Sequence, residues 1–212
     1  MASGPRVLYL IGQFPAINHG YLLAEIRHLR RLGIDVRVAS VNAADRPPEK
    51  LSALEREEVA GTYYIKATPL IEVLSAHLAE GLRHPLRYLR GAACSLKLGG
   101  PSSRSKLRHL AYFAEAVLLG RKMRSLGITH VHASFSATVA VITTRVFPVT
   151  MSFGVYGFGD LHDPVGTRLA ERIASSLFVR SINRHGRGQA LAASHGAGHK
   201  NASPLFPASV AN

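Results

Sequence analysis

Four short polar clusters, each closing or following an apolar run, are the residues of this chain best equipped for chemistry. Gln13, Asn18 and His19 come after Arg6-Val-Leu-Tyr-Leu-Ile11, and His132, Ser134 and Phe135 come at the end of Thr129-His-Val-His132. Tyr156, Asp160, His162 and Asp163 follow Val149-Thr-Met-Ser-Phe153, and Ser181 and Asn183 end Leu177-Phe-Val-Arg-Ser-Ile182. Amides, imidazoles, hydroxyls and carboxylates of this kind are suited to hydrogen-bonding hydroxyls or phosphates. Stricter motifs are missing. Gly154-Val-Tyr-Gly-Phe-Gly159 departs from the dinucleotide spacing, and the next strand ends without the acid that would hold a ribose. Its glycines either open a wide loop or let the backbone approach a ligand. There is no Gly-x-x-x-x-Gly-Lys phosphate loop and no Gly-x-Ser-x-Gly elbow. His130 and His132 flank Val131, so both point to one face of a strand; with no third ligand in view, a metal is not expected. Cys94 stands alone among Ala92, Ala93 and Leu96, which reads as helix packing and excludes an intramolecular disulfide. No cofactor is expected.

The elements that must position these clusters alternate in type. Arg6–Ile11 is a continuous apolar run of the kind buried on both faces of a parallel sheet. Gly20–Leu32 carries Leu22, Leu23, Ile26 and Leu29 at helical spacing and stops at Gly33, and Asp35–Val41 is β-branched. Together they form a βαβ unit. The polar stretch Asn42–Gly61 reads as a loop, Thr62–Ile65 as a third strand, and Pro69–Leu98 as two helices broken at His84-Pro85. Lys106–Leu126 is a periodic helix closed by Gly127. Strand and helix then alternate again to Ile182, which predicts an α/β doubly wound parallel sheet with its ligand at the carboxyl ends of the strands. From Arg172 to Asn212 there is no acid, and after Gln189 the chain is mostly Ala, Ser, Gly, His and Pro. That composition predicts at most a short helix near Gln189–Ala193, a domain over 1–190, and an irregular or disordered tail over 191–212.

Charge points to the class of partner. The 212 residues hold 26 Lys and Arg against 13 Asp and Glu, a net +13, with 47% hydrophobic residues, enough for a sizeable core. A surface this basic is expected to meet phosphates, anionic lipid or acidic sugars. Ten of the basic residues lie between His77 and Arg124, opposed only by Glu80 and Glu115. Leu78, Leu82, Leu86, Leu89 and Ala93 add an apolar stripe to the helices bearing the first of them. This pattern reads either as a membrane-surface element or as a solvated basic face over a core helix. The absence of a targeting signal and of a spanning run, with one cysteine, leads to the expectation of a cytoplasmic protein, either soluble or, through those basic helices, peripheral at the inner face of the cytoplasmic membrane. Aromatic residues do not interleave with the basic cluster, so nucleic acid is not an expected partner.

Several segments resemble bacterial glycosyltransferase family 4 enzymes. Phe14-Pro-Ala-Ile-Asn-His-Gly-Tyr-Leu-Leu-Ala-Glu-Ile26, followed by Leu29, Gly33 and Val36-Arg-Val38, looks like the family's opening strand, Tyr/Phe-Pro loop and helix. His130-Val-His-Ala-Ser-Phe135 is similar to its His-x-His-Phe strand end, and Met151-Ser-Phe153 with Gly157 and Asp160 resembles its Ser-Phe-Thr-x-His-Gly-x-Asp loop. Leu177–Ile182 resembles the strand that continues into a Ser-rich turn, so the likeness spans roughly residues 5 to 190. It implies one Rossmann-like half of a GT-B enzyme, the amino-terminal half that faces the acceptor. By length, the donor-gripping half is expected to be missing, as in a truncated or frameshifted coding sequence. The implied activity is sugar transfer from a nucleotide-sugar donor to a surface or exported polysaccharide or a lipid-linked acceptor. The implied site has Tyr156 and Asp160 in the catalytic positions and Gln13, Asn18, His19, His132 and Ser134 against the acceptor. Tyr156 stands where the family has a loop histidine, and tyrosine is a poor base near neutral pH. The acid falls one position late, at Asp160. Glu49 and Glu57 share the eight-residue spacing of the family's donor-side glutamates but lie in an early polar loop. The alternative is a non-catalytic, basic, membrane-peripheral or partner-binding module that retains the fold.

Overall fold

Among the described residues, six strands pair into one all-parallel sheet in the order β3-β2-β1-β4-β5-β6. The strands are β1 (Arg6–Gln13), β2 (Asp35–Asn42), β3 (Thr62–Tyr64), β4 (His130–Ser134), β5 (Thr150–Val155) and β6 (Val179–Ser181). The computed structural model describes residues 4–156, 163 and 167–196. Helices α1 (Gly20–Arg31), α2 (Ala53–Gly61), α3 (Leu70–Arg83), α4 (Pro85–Leu98), α5 (Ser103–Leu126), α6 (Ala137–Val146), α7 (Leu169–Ala174) and α8 (Arg184–Gly196) connect them. The fold is α/β, doubly wound and Rossmann-like.

Side chains alternate across each strand, and β1 is buried on both faces, which is why its apolar run is unbroken. Among the described residues, Leu8 and Leu10 join a layer of thirty buried apolar residues that includes α5 and α6, whereas Tyr9 and Ile11 join a layer of seven beneath α1. Backbone approach tightens the larger layer. A Cβ on Gly120 of α5 would stand 2.1 Å from the Phe147 ring, and one on Gly91 of α4 would stand 2.2 Å from Val146 Cγ2. Gly127 ends α5 in the left-handed region (φ 64°), where its N–H caps the Arg124 carbonyl.

Two segments depart from the sequence expectation. The polar stretch after β2 contains α2, because Ser52 and Glu55 form a reciprocal capping box. Buried Glu58 then ties α2 to α1 through Arg30 at 2.7 and 2.8 Å. At the other end, residues 191–196 are not irregular: α8 runs from Arg184 through residue 190 to Gly196. Asn183 Oδ1 accepts from Gly186 N–H at its start, and Ala190 is fully buried. Residues 197–212 of the expected tail lie outside the described residues. The two-helix reading of 69–98 holds, with the break at His84-Pro85.

Candidate functional site

Register brings the strand ends together. Gln13 pairs with Asn42, Ile11 with Ser134, and Ser134 with Gly154, so the loops after β1, β2, β4 and β5 leave from one rim. The strand order reverses between β1 and β4, and an open α/β sheet offers its crevice at such a point.

An aromatic wall stands there. The His19 ring stacks on Phe135 (4.8 Å between centroids, 12° between planes), Phe135 stacks on Tyr156 at 4.7 Å, and Tyr21 leans on Tyr156 at 5.6 Å. Tyr156 Oη and Ser134 Oγ share a 2.9 Å hydrogen bond. Phe135 holds φ at 67°, a strained conformation for a bulky residue of the sort that concentrates at functional sites. Burial pushes the Tyr156 phenol up to about 12, so it serves as a hydrogen-bonding group and not as a base near neutral pH.

A charged network supports the wall from below. Tyr9 Oη donates to Glu25 Oε1 at 2.8 Å, and Arg180 donates to the same oxygen. Burial alone would raise the Glu25 carboxyl, but the hydrogen bonds from Arg180 and Tyr9 outweigh it and hold the group below the usual carboxylate range. The Arg180 guanidinium also lies 5.9 Å from the Tyr156 ring centre. His132 packs 4.9 Å from the Tyr9 ring, and burial pushes its imidazole down to about 4. His130 and His132 do share a face: both hydrogen-bond Ser152 Oγ, at 2.9 and 2.8 Å, and stack on Phe178. Among the described residues, no three His, Cys, Asp or Glu side chains are grouped to hold a metal ion.

Beside the wall, at the mouth between β1 and β4, lies a cleft of about 260 Å³. Gly12, Asn42, Lys66, Glu115, Phe135, Ser136, Thr138 and Arg172 are among its lining residues. Lys66 Nζ donates to Asn42 Oδ1 at 2.8 Å and sits 4.0 Å from Glu115 Oε1. Arg172 donates to Thr138 Oγ1 at 3.0 Å. The amino terminus of α6 opens into this space, and Ser136 at its N-cap makes no side-chain cap bond. Glu115 is 6% exposed, yet its Oε2 is buried without a hydrogen-bond partner. Burial pushes its carboxyl up against the opposing pull of Lys66. Two cations and a helix amino terminus suit an anionic group, and an unpaired carboxyl suits a hydroxyl donor. A larger groove of about 590 Å³ along α1 contributes one carboxylate, Glu25, already engaged by Tyr9 and Arg180.

Of the residues expected from sequence, His19, Ser134 and Tyr156 meet at the wall, and His132 lies beneath it. Gln13 takes part through its carbonyl, 3.1 Å from His19 Nδ1. Asn18 is exposed in the single turn Ile17–His19, next to His19 in the chain. Asp160 and His162 lie outside the described residues. Glu57 pairs with Arg27 at 2.9 Å, away from the rim. Glu25, Asn42, Lys66, Glu115 and Arg172 were missed. Glu25 alone had a signal, as the acid of the helix motif after the Phe-Pro loop. Neither protein-family models nor curated proteins give a match to the chain.

Proposed function

We propose that this chain is the acceptor-side half of a sugar transferase of the GT-B type, binding a glycan that carries an anionic group. The observation that supports this most is the pairing of an aromatic wall with a cation-lined cleft at the point where the strand order reverses. Stacked rings offer a face to the C–H side of a sugar. Next to it, Lys66, Arg172 and the α6 amino terminus receive a phosphate or carboxylate, and Glu115 accepts from a hydroxyl. Tyr156 and Ser134 orient the acceptor hydroxyl. On this reading a nucleotide-sugar donor is gripped by a second Rossmann-like half supplied from outside these 212 residues.

Saturation-transfer NMR tests it, using the purified chain with soluble short-prenyl pyrophosphate-linked sugars and, separately, with nucleotide sugars. The anionic glycans are expected to bind, and Lys66→Ala and Phe135→Ala are each expected to weaken that binding about tenfold or more, the scale of one charge-assisted contact or aromatic stack. Absence of glycan binding by the folded chain, or turnover of nucleotide sugars by the chain alone, refutes the reading.

A further inference from the structure

Ten of the seventeen large apolar side chains exposed among the described residues fall between residues 70 and 110, so they are a patch and not a scatter. On α3, Leu74, Leu78 and Leu82 recur every fourth residue, and Leu86 and Leu89 continue the stripe on α4; each is between 57% and 74% exposed. The opposite faces of the two helices are fully engaged. Glu80 is buried in a two-pronged pair with Arg124, the His77, Tyr88 and Phe113 rings pack edge to face, and Gly91 lies against Val146. Because both helices seat their inner faces on α5, their leucines look outward together.

Beside the leucines stand Arg83, Arg87, Arg90 and Lys97, all exposed and none in an ion pair among the described residues. Glu72 is the one exposed carboxylate on α3 and α4. An apolar stripe with a basic flank fits a surface that is oily at depth and negative at its boundary. A second copy of this chain would set these cations against their own kind. No helix among the described residues is long and apolar enough to cross a membrane, so the contact is one of lying on the surface. We propose that the outer face of α3 and α4 docks this protein on an anionic lipid bilayer, with the leucines in the acyl boundary and the arginines at the headgroups. None of these side chains lines the cleft, so lipid binding and acceptor binding can fail separately.

Co-sedimentation of the full chain with phosphatidylcholine vesicles, with and without phosphatidylglycerol, is the test. Binding is expected only to the anionic vesicles and is expected to weaken in high salt. Each basic residue removed should cost about fivefold in partitioning, so Arg87→Gln with Arg90→Gln should cost about twenty-five-fold. Leu78→Ser, Leu82→Ser and Leu86→Ser together should cost at least about a hundredfold, while Leu32→Ser, exposed on another part of the surface, should change nothing. Since the chain has no tryptophan, Leu82→Trp supplies a second readout: its emission should shift to the blue on anionic vesicles alone. Equal binding to neutral vesicles, full binding by the triple-serine variant, or an unshifted Leu82→Trp spectrum overturns the proposal. So does a wild-type dimer that the triple-serine variant dissolves.

Discussion

Acid should unfasten the sheet at His132, and a single variant isolates the effect. The imidazole is buried between Tyr9 and Phe178, and desolvation lowers its pKa from 6.5 to about 4. Above pH 6.5 the group is neutral in both the folded and the unfolded chain, and its contribution to stability is complete. Between pH 6.5 and about 4 the unfolded chain takes up a proton that the folded chain refuses, so stability is lost across that window. At 1.36 kcal/mol per pH unit the loss is about 3 kcal/mol. Urea unfolding followed by circular dichroism, above pH 6.5 and again near pH 4, measures it. His132→Asn keeps a polar atom toward Ser152 but does not titrate. Burial lowers the pKa of His130 and His77 as well, but they titrate in both proteins and leave the difference between them to His132. The variant should therefore lose about 3 kcal/mol less than the wild type over the same interval. Parallel losses would falsify the burial argument.

The other predictions use the same unfolding measurement. Gly120→Ala drives a methyl into the Phe147 ring and should destabilise by about 1–3 kcal/mol, because overpacking forces helix or ring to move. Arg180→Met leaves the Glu25 carboxylate without its cation and should cost about 1–3 kcal/mol at neutral pH; the loss should shrink in acid, where the carboxyl is protonated. Glu115→Gln should act in the opposite sense. Burial raises the pKa of this carboxyl, so its ionised form opposes folding as pH rises. The glutamine variant should be the more stable one at neutral pH, lose that advantage as pH falls below the carboxylate range, and bind anionic glycans more weakly.

Strands were legible where burial on both faces left a continuous apolar run, as at Val7–Ile11. The rim followed from topology alone. Polar composition hid α2, although Ser52 and Glu55 carry a capping-box signature. Glycine at positions 186 and 188 hid α8, which buries Gly186, Ala190 and Ser194. The cleft could not be read. Lys66 and Glu115 meet only because the excursion through α3, α4 and α5 returns to the end of β3, and Glu25 meets Arg180 across 155 residues. Local patterns carry no trace of such encounters. The strain at Phe135 is equally silent in sequence, since nothing about Ser-Phe-Ser demands a left-handed turn.

Among the described residues, thirty buried apolar side chains hold one flank of the sheet and seven hold the other. Amide exchange should therefore be graded across the molecule, slow along α5 and α6 and faster along α1, which Leu22 and Ile26 fasten to the strands. Because α1 carries Tyr21 and Glu25, a partial opening of this helix, once the Glu25–Arg180 and Arg30–Glu58 pairs part, would widen the aromatic wall while the opposite flank keeps its shape. A bulky guest could then enter without melting its host.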